Sequence, residues 1–179
     1  MLADDSTKTL SSDKLQQILD ENKKVSEFVK EREWESIDEK YVKSNTTYTL
    51  ATEDFTIDLA DGAVHDTRIF ASFNDKTTNE IELTYYEMPL IVNGIDLTEK
   101  VPPLAIYFDN DRLSITEGAP IAELQYHTFR PVLMGMEVFF EEVSYENRGH
   151  LIYSPRILHL NVPRHMNMID NSGWVNNPY

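Results

Sequence analysis

The chain has 179 residues, no cysteine and a formal net charge of -15. That length suits one domain, and its 41% apolar content is enough for a core. Missing cysteine excludes disulfides, thiolate metal sites and cysteine nucleophiles, and it fits a reducing compartment. The acidic balance works against phosphate backbones and anionic membranes.

The opening "MLADDSTKTLSSDK" lacks the basic start and apolar run of a signal peptide. No apolar run approaches the roughly 20 residues that span a bilayer. A cytoplasmic or virion location is therefore expected, with neither secretion nor membrane binding.

The first predicted element is a helix within residues 1–44. Leu15, Ile18, Leu19, Val25, Phe28 and Val29 recur at the 3–4 spacing that lays an apolar stripe on one face. Ser11 or Ser12 serves as its cap and Asp13 suits the first turn. Trp34, Ile37 and Tyr41 extend the stripe after a break. Such a stripe packs either on its own domain, the commoner case, or on a neighbouring subunit as an arm.

From Thr46 the texture becomes that of strands. In "DFTIDLA", Phe55, Ile57 and Leu59 share one parity and so one face. The pairs Asp61-Gly62, Asn93-Gly94 and Arg148-Gly149 supply the positive φ values that tight turns require. Residues 45–179 are therefore predicted to be a β domain. The fold class expected is mainly β, an antiparallel β-sandwich or barrel with an N-terminal α-helix. A long hairpin is expected over 136–162, with a bulge at Glu141-Glu142 and an edge or irregularity at Pro155, followed by an extended tail over 163–179.

Few motifs carry chemistry. His150 and His159 have opposite strand parity, His165 follows Pro163, and no histidine pair has metal-ligand spacing. Asp109, Asn110 and Asp111 lack the rest of a calcium loop and fit a hairpin turn with solvated acids better. Glu80 and Glu82 share a face, as a catalytic pair could, but a chain with 31 acids produces such pairs by composition. No nucleophile elbow, P-loop or dinucleotide fingerprint is present. Neither an enzyme nor a cofactor or metal site is expected.

The remaining signal is charge. From Gly149 onward Asp170 is the only acid, against Arg156, Arg164 and three histidines. No lysine follows Lys100, and arginine suits planar paired contacts better than a diffuse field. Arg148, Arg156, Arg164, His165 and Trp174 are the candidate partner-binding residues.

The function expected is that of a non-enzymatic structural or interaction protein, a subunit of a larger assembly such as a phage or virus particle. Its partners would be protein subunits, in a homo- or hetero-oligomer. One alternative is an OB-like domain binding single-stranded nucleic acid, with Phe70, Phe73, Tyr85, Tyr86, Tyr107, Phe108 and Phe129 as stacking surfaces, or a small ligand. Another is an acidic inhibitor of a basic partner protein.

Overall fold

The structure, a computed structural model, describes residues 10–59, 67–92, 94–100, 103–117, 156–173 and 175–176. Helix α1, Ser12–Glu31, begins at Ser11, whose Oγ accepts from the Lys14 N–H at 3.4 Å, and Asp13 lies in its first turn. A carboxylate there offsets the partial positive charge of a helix N-terminus. The helix ends at Arg32 with a left-handed φ of 63°. The N–H groups of Arg32 and Glu33 close onto the Val29 and Phe28 carbonyls at 3.3 and 2.8 Å. That turn satisfies carbonyls the last helical turn would leave bare. Short 3₁₀ turns follow at Trp34–Ser36 and Glu39–Tyr41.

The helix packs on its own domain. Val25 and Val29 join Ile37, Tyr41, Tyr86, Met88 and Ile157 in one buried cluster, so this stripe is already used. A polar clip reinforces the contact: Glu21 Oε2 accepts from Lys40 Nζ at 2.7 Å and from the Tyr41 hydroxyl at 2.5 Å. The bond from Lys40, more than any other, holds the Glu21 carboxyl down at about 2.

The strands are β1 Val42–Thr49, β2 Asp54–Leu59, β3 Thr67–Asn74, β4 Glu80–Tyr86, β5 Ile91–Val92, β6 Ile95–Asp96, β7 Leu104–Asp109, β8 Arg112–Glu117, β9 Arg156–Pro163, β10 Asn167–Asp170 and β11 Val175–Asn176. They form a five-stranded sheet in the order β1-β4-β9-β3-β11, a four-stranded sheet β10-β2-β8-β7, and the small pair β5-β6.

The fold is mainly β with an N-terminal helix, as the sequence predicts. Two finer expectations change. The sheets are mixed, because β9 and β11 run parallel to β3, and β8 and β10 run parallel to β2. The described strands also form open sheets rather than a closed barrel. Turn dipeptides specify antiparallel neighbours only, and they do so correctly at β5-β6 and β7-β8. Parallel partners come from distant chain and leave no local mark.

Of the hairpin expected over 136–162, residues 136–155 lie outside the described residues. The remainder is β9, and both its edges are filled. β3 pairs with it from Thr67↔Arg156 to Asn74↔Pro163, and β4 from Tyr86↔Ile157 to Glu82↔Asn161. It is an interior strand there, not an edge. The tail expected after it supplies β10 and β11, one to each sheet. Between them the Asp170 carboxylate accepts from the backbone N–H groups of Ser172, Gly173 and Val175 at 2.9, 3.0 and 3.0 Å. Burial pushes this carboxyl up, but the hydrogen bond donated by the Ser172 hydroxyl, together with those three, outweighs it and holds the group below its ordinary value.

Alternation assigns the faces. Leu158, Leu160 and Val162 of β9 join Ile69, Ile81 and Leu83 in a core shared with Phe55, Ile57, Leu113 and Ile115 of the other sheet. The opposite face of the five-stranded sheet receives the helix. The Asp109–Asp111 segment is the β7-β8 turn, with φ of 48° at Asn110 and 58° at Asp111. Asp111 is committed there, accepting from the Ala51 N–H and the Thr52 hydroxyl at 3.2 and 2.8 Å. No helix among the described residues is long and apolar enough to cross a membrane.

Burial sets a direct test. Leu160 is 1% exposed and Ile169 is 42% exposed. Urea unfolding should show Leu160→Ala losing about 2–5 kcal/mol, and Ile169→Ala staying within about 0.5 kcal/mol of the parent.

Candidate functional site

The outer face of the five-stranded sheet carries the alternate residues of each strand: Asn45 of β1, Glu82, Thr84 and Tyr86 of β4, Ile157, His159 and Asn161 of β9, and Phe70 and Ser72 of β3. Helix α1 covers the Tyr86 and Ile157 end of this face. Past the helix C-terminus, Trp34 lies over the middle. Its ring stacks on His159 with centroids 3.9 Å apart and planes 10° apart, stacks on Tyr86 at 6.2 Å, and tilts against Phe70 at 5.6 Å. Three contacts on one sheet surface fix the indole in place; such aromatic pairs are worth about 0.5–1.5 kcal/mol each beyond burial. The indole Nε1 is buried without a hydrogen-bond partner, so stacking rather than a polar tether holds the ring.

Beside the indole opens a cleft of about 620 Å³, walled by Arg32, Glu33 and Glu35 and floored by Ser72, Glu82, Thr84, His159 and Asn161. An adjoining hollow of about 490 Å³ lies toward Ile37, Glu39 and Val42, and Trp34, Glu35 and Tyr86 line both. The floor is hydrogen-bonded. Ser72 Oγ and His159 Nε2 share a bond of 2.7 Å. Asn161 accepts from Asn74 at 2.9 Å and donates to Glu82 Oε2 at 3.2 Å, while Lys76 Nζ reaches Glu82 Oε1 at 2.5 Å. The Lys76 contact is the main reason the Glu82 carboxyl sits below its ordinary value.

His159 is 7% exposed. Burial drives its imidazole down from 6.5 to about 4, against a smaller opposing pull from the Glu82 charge. The ring is therefore neutral at physiological pH. A serine bonded to a neutral histidine meets the first geometric requirement of a nucleophilic pair. The second requirement is a base whose pKa lies near the working pH. A pKa of about 4 makes His159 too weak for that task, and Trp34 clamps the ring. The arrangement serves better as a rigid, neutral footing for the indole.

The sequence-predicted site residues fall elsewhere. Arg148 and Trp174 lie outside the described residues. Arg156 is only 5% exposed and is engaged within the fold, so it offers no charged surface. Arg164 is exposed, but its Nε donates to Asp75 Oδ1 at 2.9 Å. His165 Nε2 lies 2.8 Å from Asn79 Oδ1. Arg164 and His165 thus share the β3-β4 end of the sheet, while the basic strip expected through Arg156 and Arg164 is interrupted by burial and by pairing. The residues that do converge are Trp34, Ser72, Glu82 and His159. Strand parity puts Glu82 on one face with Glu80, but nothing local joins it to Ser72, His159 or Trp34.

Comparison with known proteins finds no matching family model, no curated protein and no solved structure with significant similarity.

The depressed His159 makes stability pH-dependent. Above pH 6.5 neither the folded nor the unfolded chain protonates this ring. As pH falls from 6.5 toward 4 the unfolded state takes up a proton that the folded state refuses. Stability should therefore drop across that window, by on the order of 3 kcal/mol from this residue. Chemical denaturation at stepped pH should show the slope, and His159→Phe, which keeps a ring under Trp34, should flatten it. In Trp34→Ala, an NMR titration should place the His159 pKa closer to 6.5, because the ring regains solvent.

Proposed function

We propose that the chain is a non-enzymatic interaction protein, a subunit of a larger protein assembly, and that the Trp34 cleft is where it meets a neighbour. The observation carrying this reading is the indole itself. It is held against side chains of the sheet by three ring contacts, yet it is only half-buried and borders two hollows. A tryptophan already fixed in place loses little further freedom on binding, and such residues dominate interface energetics.

Two further features support a protein partner over a nucleic acid. Burial of Arg156 and pairing of Arg164 interrupt the basic strip that a phosphate backbone would follow. The outer face of the four-stranded sheet presents Tyr107, 61% exposed, and Ile169, 42% exposed, and tyrosine is enriched at interfaces. We read the two main sheets as a β-sandwich of mixed strands, since one core draws on both. A virus or phage particle is the assembly we favour, on the acidic, cysteine-free composition.

Sedimentation of the full chain, alone and with the proteins made alongside it, tests the reading. We expect a specific complex heavier than one chain, weakened in Trp34→Ala. A monomer at every concentration, with no stable companion, sinks it.

A further inference from the structure

On the reading that the Trp34 cleft is a contact face, its charge and shape decide what it takes. Glu33 and Glu35 flank the indole in sequence and wall the cleft, and both are exposed. Neither side chain makes an ion pair or hydrogen bond among the described residues. Glu39 lines the adjoining hollow in the same condition. Arg32 is the one cation in the wall among the described residues, while Glu82 on the floor is already answered by Lys76.

The backbone adds to this sign. Helix α1 ends at the cleft mouth, and a helix C-terminus carries partial negative charge. The whole chain, at -15, draws cations toward any such recess. The indole supplies the remaining element. His159, Tyr86 and Phe70 rise from the sheet to hold Trp34, and the half-buried indole still lines the cleft with part of its surface. Tryptophan is the best aromatic surface for a cation.

We propose that this cleft receives an arginine-bearing basic segment of a partner protein. A guanidinium is planar, so it stacks on a fixed indole. Its fork of N–H donors serves carboxylates on either side at once, which an ammonium does with less geometric fit. A second copy of this chain is a poor occupant, because two bodies of -15 repel. Single-stranded nucleic acid carries the wrong sign for the wall.

The proposal rests on the interaction reading above, but it fails separately from it. The chain has two tryptophans, so Trp174→Phe leaves Trp34 as the only indole reporter. An arginine-rich peptide, a lysine-rich peptide of equal length and charge, and an oligoglutamate are titrated against this protein at low and high salt. We expect the arginine peptide to shift Trp34 emission saturably, more tightly than the lysine peptide, and to weaken as salt rises. Glu33→Gln with Glu35→Gln, both at exposed positions, should weaken it about tenfold. Calorimetry with the unsubstituted chain gives the same comparison without relying on Trp174→Phe.

No saturable binding at low salt overturns the proposal, as does binding indifferent to the double substitution. An equal response to oligoglutamate also overturns it, and equal affinity for the lysine peptide overturns the guanidinium assignment. A chain that assembles yet ignores the peptides refutes this site and leaves the assembly standing. A chain that binds the peptide through Glu33 and Glu35 but stays monomeric without a companion refutes the assembly instead.

Discussion

Everything in this fold leans on β9, a strand covered on both faces and paired on both edges. Its odd and even residues serve two different interiors. Leu158, Leu160 and Val162 fill the core between the sheets, while Ile157 joins the cluster under the helix. Of the polar residues on its outer face, Asn161 stays half-buried on the cleft floor, whereas His159 is buried. His159 survives there because Ser72 takes one ring nitrogen and Trp34 covers the ring. The histidine is tolerated as a neutral group, and its neutrality is what lets an indole rest on it.

The same constraint explains the division of charge. Polar groups on and beside the cleft floor are matched in a chain: Asn74 with Asn161, Asn161 with Glu82, Glu82 with Lys76. Nearby, at Glu33 and Glu35, carboxylates stand without a hydrogen-bond or ion-pair partner among the described residues. Exposed charge costs little to leave alone, so its persistence beside an aromatic surface is compatible with a use outside the chain. The contrast between a settled floor and an unsettled wall gives the cleft its polarity.

What the sequence discloses follows the reach of each interaction. The helix over 12–31 is legible because its stripe and its Ser11 cap lie within a few residues of one another. The parity of Phe55, Ile57 and Leu59 places them on one face, where Phe55 and Ile57 are buried in the core and Leu59 packs against it, and the Asn93-Gly94 and Asp109–Asp111 turns mark hairpins. Counting charge near the C-terminus found Arg156 and Arg164 but not their surroundings; one is buried and the other is held by Asp75. Parallel pairing of β3 with β9, and with it the meeting of Ser72 and His159, joins segments far apart in the chain. No periodicity spans such a gap, so neither the mixed sheets nor the cleft was visible beforehand.

The central position of β9 also has a consequence for how this protein is made. β3 and β4 leave the ribosome long before the residues that must lie between them. Until then each emerging strand has an edge of unanswered N–H and C=O groups beside apolar side chains such as Ile69 and Leu83. The β1-β4 pair can form early, but β3 cannot join it until β9 arrives between them, so the centre of the larger sheet closes in a late, non-local step. Until that step unpaired edges lie beside apolar side chains, and the repulsion among the chain's 31 acids opposes their association with other copies.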